Sequence, residues 1–461
     1  MNGHKQLNLI LALLLLPAAI VWPMRSATTP GTNSLLPETL QGIPGATVDW
    51  WIAVQEYFRQ SEYPETRQMA GITGLSLLPN WGDEGDQEGA QFGFSVGTAG
   101  DVNGDGYADV IVGAPFYDNG QNAEGAAAVY HGSAAGLALN PNWMGESNIV
   151  NANFGYSVGT AGDVNGDGYD DIIIGAPGYT NGQSVEGAAA VYLGSAAGLS
   201  LVPSWGDESD QANAQFGWSV GTAGDVNGDG YDDVVVGAIY YDHGQTNEGV
   251  SVVYHGSAAG LALIPSWMGE SNQADAYFGY SVGTAGDVNG DSFSDVIVGI
   301  PGYTNGQTSE GAVAVYHGSA AGLSLVPSWG DESNMANAQF GYSVGTAGDV
   351  NGDGYSDVII GAPYYTNGQD EEGAAVVYHG SVSGLSLTPN WGDEGDQAGA
   401  QFAFSVGTAG DVNGDGYSDV IIGAPYYDHG ETDEGAAVVY HGAGNNIIYN
   451  HIYLPLAVRE H

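Results

Sequence analysis

The sequence contains no cysteine and very little positive charge. Only 5 of its 461 residues are Lys or Arg, against 54 Asp and Glu, and the formal net charge is −49. The absence of cysteine excludes disulfide bonds, thiol chemistry and lipid anchors attached to cysteine. The large negative charge disfavours binding to nucleic acids and to anionic membranes.

The acidic residues in the middle of the chain have no basic partners. Lys5, Arg25, Arg59 and Arg67 precede this part of the chain, and Arg459 follows it. The carboxylates between Arg67 and Arg459 therefore cannot be neutralised by Lys or Arg of the same segment. Bound divalent cations are the obvious alternative source of positive charge.

The sequence also lacks an apolar run long enough to span a bilayer. The apolar stretch Leu9–Trp22 follows Lys5 and precedes Arg25-Ser26-Ala27, and its 14 residues are too few to cross a membrane comfortably. This order is typical of a secretory signal peptide, which we assign to residues 1–27. We expect a secreted or cell-surface protein with no membrane insertion after cleavage; an uncleaved anchor is the alternative.

Residues 28–70 are predicted to form a linker and one short helix. Residues 28–45 are rich in Pro, Thr, Ser and Gly. Apolar residues then recur at positions 51, 54 and 58, a spacing that fits an amphipathic helix capped by Asp49. We expect this helix to pack against the rest of the protein; a separate binding helix is the alternative.

From Gly71 to Gly442 the chain consists of six nearly identical units of 62 residues. A period of this length indicates a solenoid, a propeller or an array of domains. The second unit contains four apolar or β-branched segments that we predict to be strands: Leu137–Trp143, Phe154–Gly162, Asp171–Pro177 and Gly187–Tyr192. Pro141 makes the first of them an edge strand.

These units predict an all-β fold, a β-propeller of four-stranded blades. The last unit ends without the outer strand, whereas the first begins with one at residues 74–81. We therefore expect residues 74–81 to complete the sixth blade, so that pairing of N- and C-terminal strands closes the ring. The propeller would span residues 71–445, followed by a tail at residues 446–461. A seventh blade built from residues 38–70 and the tail segment Ile447–Val458 is the alternative.

Each unit contains a nine-residue acidic loop, first seen as Asp101-Val-Asn-Gly-Asp-Gly-Tyr-Ala-Asp109. Oxygen-bearing side chains at positions 1, 3, 5 and 9 suit Ca²⁺, which takes 6–8 oxygen ligands. The carbonyl oxygen of the seventh residue would be a further ligand, and Gly104 and Gly106 would allow the curled backbone. We therefore predict up to six Ca²⁺ ions, held by Asp101, Asn103, Asp105, Tyr107, Asp109, Asp163, Asn165, Asp167, Tyr169, Asp171, Asp225, Asn227, Asp229, Tyr231, Asp233, Asp287, Asn289, Asp291, Phe293, Asp295, Asp349, Asn351, Asp353, Tyr355, Asp357, Asp411, Asn413, Asp415, Tyr417 and Asp419.

The alternative interpretation of these loops is that they are simple turns, since Asn-Gly and Asp-Gly are common turn formers. Six copies that all keep the ninth-position Asp favour calcium. The fourth loop is the weakest candidate, because Ser292 replaces the glycine found at the sixth position of the other loops.

A Phe-Gly pair precedes the acidic loops and a Gly-Ala-Pro triplet follows them, as in Phe92-Gly93 and Gly113-Ala114-Pro115. With these motifs the sequence resembles the FG-GAP repeat of integrin α-subunit propellers and of bacterial secreted proteins. Departures are Ile239 for Pro, Ile300 for Ala and Ala403 for Gly. The resemblance implies a propeller, usually of seven blades, with calcium in the loops between the first two strands and a role in extracellular adhesion or ligand recognition.

Three other repeated features are candidates for chemistry. The repeated tryptophans are predicted to pack between blades, with sugar stacking as the alternative: Trp81, Trp143, Trp205, Trp267, Trp329 and Trp391. The repeated histidines that follow the third strand are not expected to be catalytic, because Leu193 replaces one of them: His131, His255, His317, His379 and His441. The adjacent acids could suggest a glycosidase, but we interpret them as solvated loop residues: Asp83-Glu84, Asp207-Glu208, Asp331-Glu332 and Asp393-Glu394.

The sequence therefore favours a calcium-binding propeller that acts as an adhesion or ligand-recognition module for extracellular proteins or glycans. It is expected to be a monomer and not an enzyme, because an active site needs one asymmetric set of groups, whereas the polar groups here recur in five or six units. Two alternatives stay open. One is an extracellular hydrolase with its site on the loop face, and the other is a structural component of a cell surface or matrix.

Overall fold

The structure, a computed structural model, describes residues 81–429, 432–443 and the strand at 452–455. These ranges contain β-strands and no helix, and hence no helix able to cross a membrane. The predicted signal peptide, the predicted helix and residues 74–80 lie outside the described residues.

The strands form six sheets of four strands, and together these sheets are the blades of a six-bladed β-propeller. Within every sheet, neighbouring strands are antiparallel and follow one another along the chain. The predicted fold class and the number of blades are thus confirmed. Blade 1 comprises β1 Ser95–Gly100, β2 Asp109–Ala114, β3 Ala126–Tyr130 and β4 Trp143–Glu146; blade 2 comprises β5 Ser157–Gly162, β6 Asp171–Ala176, β7 Ala188–Tyr192 and β8 Trp205–Glu208; blade 3 comprises β9 Phe216–Gly224, β10 Asp233–Ala238, β11 Val250–Tyr254 and β12 Trp267–Glu270. Blade 4 comprises β13 Ser281–Gly286, β14 Asp295–Ile300, β15 Ala312–Tyr316 and β16 Trp329–Glu332; blade 5 comprises β17 Ser343–Gly348, β18 Asp357–Ala362, β19 Ala374–Tyr378 and β20 Trp391–Glu394; blade 6 comprises β21 Ser405–Gly410, β22 Asp419–Ala424, β23 Ala436–Tyr440 and β24 Ile452–Pro455.

The second strand of each blade is a largely buried, β-branched element. In blade 2, β6 has the sequence DIIIGA and is buried along its whole length. A strand buried on both faces is expected to be a continuous β-branched run rather than an alternating one. Because the blades stack face to face, the two faces of β6 contribute to different hydrophobic clusters, one shared with blade 1 and one with blade 3.

The outer strand begins later in the chain than the sequence predicted. The prediction placed it at Leu137–Trp143, whereas β4 begins at Trp143 and runs to Glu146. The register pairs Val129 with Trp143 and Ala126 with Glu146. Pro141 lacks the N–H that a ladder position needs, so the paired segment starts after it.

The prediction for the last strand of blade 6 is wrong. That place is taken by β24, which pairs with β23 and so satisfies the backbone edge that residues 74–81 were expected to cover. Residues 81–84, which correspond in sequence to β4 and its equivalents, are not a strand. Trp81 instead packs on blade 1, where its ring lies 4.7 Å from that of Tyr130.

Consecutive blades meet through one repeated packing arrangement. The first strands of neighbouring blades contact one another and so line the propeller axis. The outer faces of the first and last blades are less covered by the described residues. Val96 of blade 1 is 64% exposed against 7% for its equivalent Val158, and Ile421 of blade 6 is 39% exposed against 0% for Ile359.

Candidate cation-binding loops

Each acidic loop connects the first two strands of its blade. The loop at residues 101–109 leads from β1 into β2, and the other five occupy the same place in their blades. All six loops therefore lie at the same end of the axis-lining strands. This is the location that the resemblance implied.

Within a loop, the backbone curls around the first aspartate. In blade 1, Asp101 Oδ1 accepts the N–H groups of Gly104 at 2.8 Å and Asp105 at 3.0 Å, and Asp101 Oδ2 accepts the N–H of Gly106 at 2.8 Å. Asn103 Oδ1 accepts the N–H of Asp105 at 2.9 Å. The fifth residue of the loop also accepts a hydrogen bond, since Asp105 Oδ1 accepts the N–H of Tyr107 at 3.0 Å. The same set of bonds recurs in the other five loops, so the predicted oxygen donors at positions 1, 3 and 5 share one small turn in every blade.

The fourth and sixth positions require left-handed backbone. Gly104 has φ 72° and Gly106 has φ 87°. The fourth loop keeps this geometry although Ser292 replaces glycine, because Ser292 adopts φ 72° and donates its N–H to Asp287 at 2.8 Å. A residue with a Cβ is strained at such an angle, so loop four preserves its shape at a cost in backbone energy.

The ninth aspartate is fully buried and fastens the loop to the blade. Asp109 Oδ2 accepts the N–H of Val102 at 3.0 Å, and Asp109 Oδ1 accepts the N–H of Gly132, beyond β3, at 2.7 Å. The ninth residues of the other five loops make the same two bonds. This carboxylate therefore holds the loop in place whether or not it also binds a cation.

Burial leaves the ninth carboxylates short of compensating charge. Burial raises the pKa of Asp171 to about 7, although the N–H groups of Gly194 and Val164 lower it, and the charges of Asp167 and Asp163 raise it further. The pKa values of Asp233, Asp295 and Asp357 rise to about 7 for the same reasons. The first, fifth and ninth carboxylates of one loop thus repel one another, and a bound cation would relieve that repulsion.

Neighbouring loops are joined by hydrogen bonds. The N–H of Asp101 donates to the carboxylate of Asp170 in the next blade at 2.7 Å, and the N–H of Asp170 donates to the Asp101 carbonyl oxygen at 3.2 Å. The backbone part of this link recurs at every junction from blade 1 to blade 6. The sequence contained no signal for this connection, because it joins residues 69 positions apart.

The repeated tryptophans lie between blades, as predicted. The side chains at Trp143, Trp205, Trp267 and Trp329 are 5–8% exposed, and each indole N–H donates to a carbonyl oxygen of the next blade at 2.9 Å. Each ring also lies 4.7–4.8 Å from a tyrosine ring of that next blade. The alternative interpretation, that these tryptophans stack on sugars, is therefore wrong.

The repeated histidines are partly buried beside the loops. Burial lowers the pKa of His255, His317 and His379, although the nearby loop aspartates raise it. These side chains are therefore held in the neutral form.

Three of the four adjacent acidic pairs end outer strands and have partners, so their interpretation as solvated loop residues is wrong: Asp207-Glu208, Asp331-Glu332 and Asp393-Glu394. The fourth pair, Asp83-Glu84, lies outside the strands. Asp207 and Glu208 end β8, and because successive strand residues point to opposite faces, their side chains diverge. Asp207 accepts the hydroxyl of Tyr254 in blade 3 at 2.6 Å, whereas Glu208 accepts the side-chain amide of Asn181 at 3.1 Å. Their divergence removes the geometry that a glycosidase pair would need.

The sequence interpretation missed a row of buried glutamates. Each stands just before the glycine that precedes the third strand, and each accepts the N–H of a hairpin residue. The signal was available, since a glutamate occupies this position in all six units. The five that are fully buried are Glu124, Glu186, Glu248, Glu310 and Glu372.

A row of aromatic rings was also missed. One aromatic residue directly precedes the first strand in five blades and lies near the start of that strand in blade 3, at the opposite end from the cation-binding loop. Neighbouring rings in the row lie 4.7–5.6 Å apart between centroids. We call this set the aromatic row: Phe94, Tyr156, Trp218, Tyr280, Tyr342 and Phe404.

Comparison with known proteins gives six matches to one family model. The model, described as the FG-GAP repeat, matches residues 92–130, 154–193, 216–254, 278–316, 340–378 and 402–440. Integrin alpha pat-2 of Caenorhabditis elegans is 34% identical over 248 residues, which cover 47% of this chain and 19% of the relative. Integrin alpha-8 of Mus musculus is 31% identical over 277 residues, which cover 55% of this chain and 24% of the relative.

The chain thus spans about a fifth to a quarter of the length of these two relatives. Among solved structures, an exotype rhamnogalacturonan lyase, YesX, matches with a TM-score of 0.39 and 16% identity, over 73% of this chain and 54% of the lyase chain. A likeness at that TM-score carries no argument about function.

Proposed function

Because the chain belongs to the FG-GAP repeat family, we propose that it is a secreted, calcium-stabilised β-propeller that recognises protein or glycan ligands outside the cell. The observation that carries the recognition role is the aromatic row. The proposal includes secretion directed by residues 1–27 and a monomeric, non-catalytic protein. Similarity to integrin α subunits supports an adhesion or ligand-binding role.

The aromatic row suits a recognition surface because its rings are only partly covered. Phe94 is 47% exposed, and the other five rings are half-buried. Half-buried aromatic side chains offer a flat apolar face at small entropic cost, and they are enriched where proteins bind ligands. Six of them in contact form a continuous surface rather than scattered exposed residues.

The calcium ions would lie in the acidic loops, at the opposite end of the first strands from the aromatic row. The oxygens at positions 1, 3 and 5, the carbonyl of the seventh residue and the ninth carboxylate would hold each ion, as at Asp101, Asn103, Asp105, Tyr107 and Asp109. The ion would supply positive charge to crowded carboxylates, and it would not take part in catalysis. Because the ninth aspartate joins the loop to the segment after the third strand, an ion there would stabilise the whole blade.

A matrix-protein and glycan array probed with the full chain tests the recognition role. We expect calcium-dependent binding to a restricted set of ligands, and we expect that binding to fall in Trp218→Ala. Trp218 lies in the aromatic row, in contact with the rings of Tyr156 and Tyr280. A chain that binds nothing with calcium present, or whose binding is unaffected by changes throughout the row, would contradict the proposal.

A further inference from the structure

Four of the five fully buried glutamates have a side-chain oxygen without a hydrogen-bond partner among the described residues, and Glu248 of blade 3 is one of them. Glu248, before β11, is fully buried, and its Oε1 accepts the N–H groups of His243 and Gln245. Its Oε2 has no hydrogen-bond partner among the described residues. A buried carboxylate oxygen left without a partner is unfavourable and calls for an explanation, such as an ion.

Two further candidate ligands lie close to the Glu248 carboxylate in blade 3. His243 Nδ1 is 2.6 Å from Glu270 Oε2, and Glu270 ends the outer strand β12. The candidate ligand atoms of His243, Glu248 and Glu270 all lie within 4.8 Å of one another. The three residues come from the β10–β11 hairpin and from β12, so the antiparallel pairing of the sheet fixes their separation.

The histidine distinguishes blade 3 from its neighbours. In blades 1, 2, 4 and 5 the same hairpin position holds an asparagine that donates its amide to the outer-strand glutamate at 2.8–3.1 Å. An amide in that arrangement acts as a donor and leaves no free nitrogen lone pair. Neutral imidazole offers one, and imidazole with carboxylate ligands suits Zn²⁺ rather than the all-oxygen preference of Ca²⁺.

We propose that His243, Glu248 and Glu270 form a Zn²⁺ site at the rim of blade 3, separate from the calcium loops. The site faces solvent on one side. His243 is 62% exposed, and His243 and Glu270 line a groove of about 910 Å³ that continues over the neighbouring edge of blade 4. Three protein ligands leave one tetrahedral position for water or for a donor group of a ligand lying in this groove.

Calorimetric titration of Zn²⁺ into the full chain, with its calcium loops kept saturated by excess Ca²⁺, tests the site. We expect wild-type protein to bind one more Zn²⁺ than His243→Asn, the residue that four other blades carry and that should therefore fold normally. Glu270→Gln should lower the affinity of this site by at least about tenfold. Thermal denaturation of each metal-free variant checks that the fold is intact.

His429 provides a matched control. It occupies the hairpin position of His243 in blade 6, but there β24 supplies Pro455 where β12 supplies Glu270. His429→Asn should therefore bind as many Zn²⁺ ions as wild type. Equal stoichiometry and affinity in wild type and His243→Asn, or the same loss in His429→Asn, would overturn the proposal. Because the measurement concerns Zn²⁺ alone, its failure would leave the calcium and adhesion proposals standing.

Discussion

The hydroxyl of Tyr254 in blade 3 donates to Asp207 Oδ2 in blade 2 at 2.6 Å. Tyr254 is buried, and both burial and this bond raise its pKa, so the hydroxyl stays protonated and remains a donor. The bond joins two blades through side chains that are 47 residues apart. The strand position of Asp207 is occupied by Gly269 in blade 3, so the equivalent Tyr316 of blade 4 has no aspartate at this position.

This difference predicts unequal effects for the same substitution. Tyr254→Phe should lower the free energy of unfolding by about 1–2 kcal/mol, because it leaves the Asp207 carboxylate without its donor. Tyr316→Phe, which removes a hydroxyl from a junction without that acid, should cost less than about 0.5 kcal/mol. Urea denaturation of both variants in calcium measures the difference, and equal losses would show that the bond is not what matters.

The junction tryptophans should contribute more than the tyrosine hydroxyl. Trp267 packs on Tyr316 with 4.7 Å between ring centroids and donates to the Ser324 carbonyl at 2.9 Å. Trp267→Ala removes a large buried ring and should cost about 3–5 kcal/mol. Trp267→Phe keeps part of the packing and should cost less. If Trp267→Ala unfolds at the same denaturant concentration as wild type, the repeated tryptophans do not hold the blades together.

Removal of calcium should destabilise the folded protein. An ion that binds only the folded state stabilises it by about 2.7 kcal/mol when its free concentration is 100 times Kd. Circular dichroism melts at low ionic strength, with and without EDTA, should therefore show a lower midpoint after chelation. Replacing one ligand in one loop, Asp105→Ala, should have a smaller effect than chelation of all loops. A metal-free protein that melts no earlier than the calcium form would contradict the cation proposal.

The strained serine of the fourth loop gives a prediction in the opposite direction. Ser292 sits at φ 72°, where the other loops have glycine. Ser292→Gly should raise calcium-bound stability by about 0.5–1 kcal/mol, since glycine adopts this angle without steric cost. The reverse change in loop three, Gly230→Ser, should lower stability by a similar amount. Differential scanning calorimetry measures both changes in stability. A destabilised Ser292→Gly would mean that the Ser292 side chain has a role of its own.

Substitutions in the aromatic row should affect binding more than stability. Trp218 is only half-buried, so Trp218→Ala should shift the melting temperature less than Trp267→Ala does. It should nevertheless weaken ligand binding several-fold, because exposed aromatic faces contribute strongly at recognition surfaces. Surface plasmon resonance with a ligand found on the array measures this separation. A large loss of stability with unchanged affinity would place the row in the core rather than in the binding surface.

Much of the fold followed from periodicity, because a repeated sequence implies repeated local structure. Asp171–Ala176 and Ala188–Tyr192 lie almost where their β-branched and small residues predicted. The outer strand was misplaced because its apolar residues lie in the exposed segment before Trp143. Pairing depends on backbone groups, and the sequence does not show which backbone groups meet.

The loops illustrate the same limit for the candidate site. Their location between the first two strands was implied by the resemblance to FG-GAP repeats. The burial of Asp109 and its bond to Gly132 were not, because they depend on a segment 23 residues away. Glu248 could be recognised in the sequence because a glutamate recurs at this position in every unit. The contact between His243 and Glu270 could not, because it depends on strand pairing.

The hydrogen-bonded link between successive loops has an evolutionary consequence. At each of the five junctions from blade 1 to blade 6, a backbone N–H of one unit donates to a carbonyl oxygen of the unit before it, as Asp170 does to Asp101. A duplicated unit would meet compatible partners at both of its new boundaries. Recombination that adds or removes a whole repeat would therefore preserve this backbone contact at the new boundary.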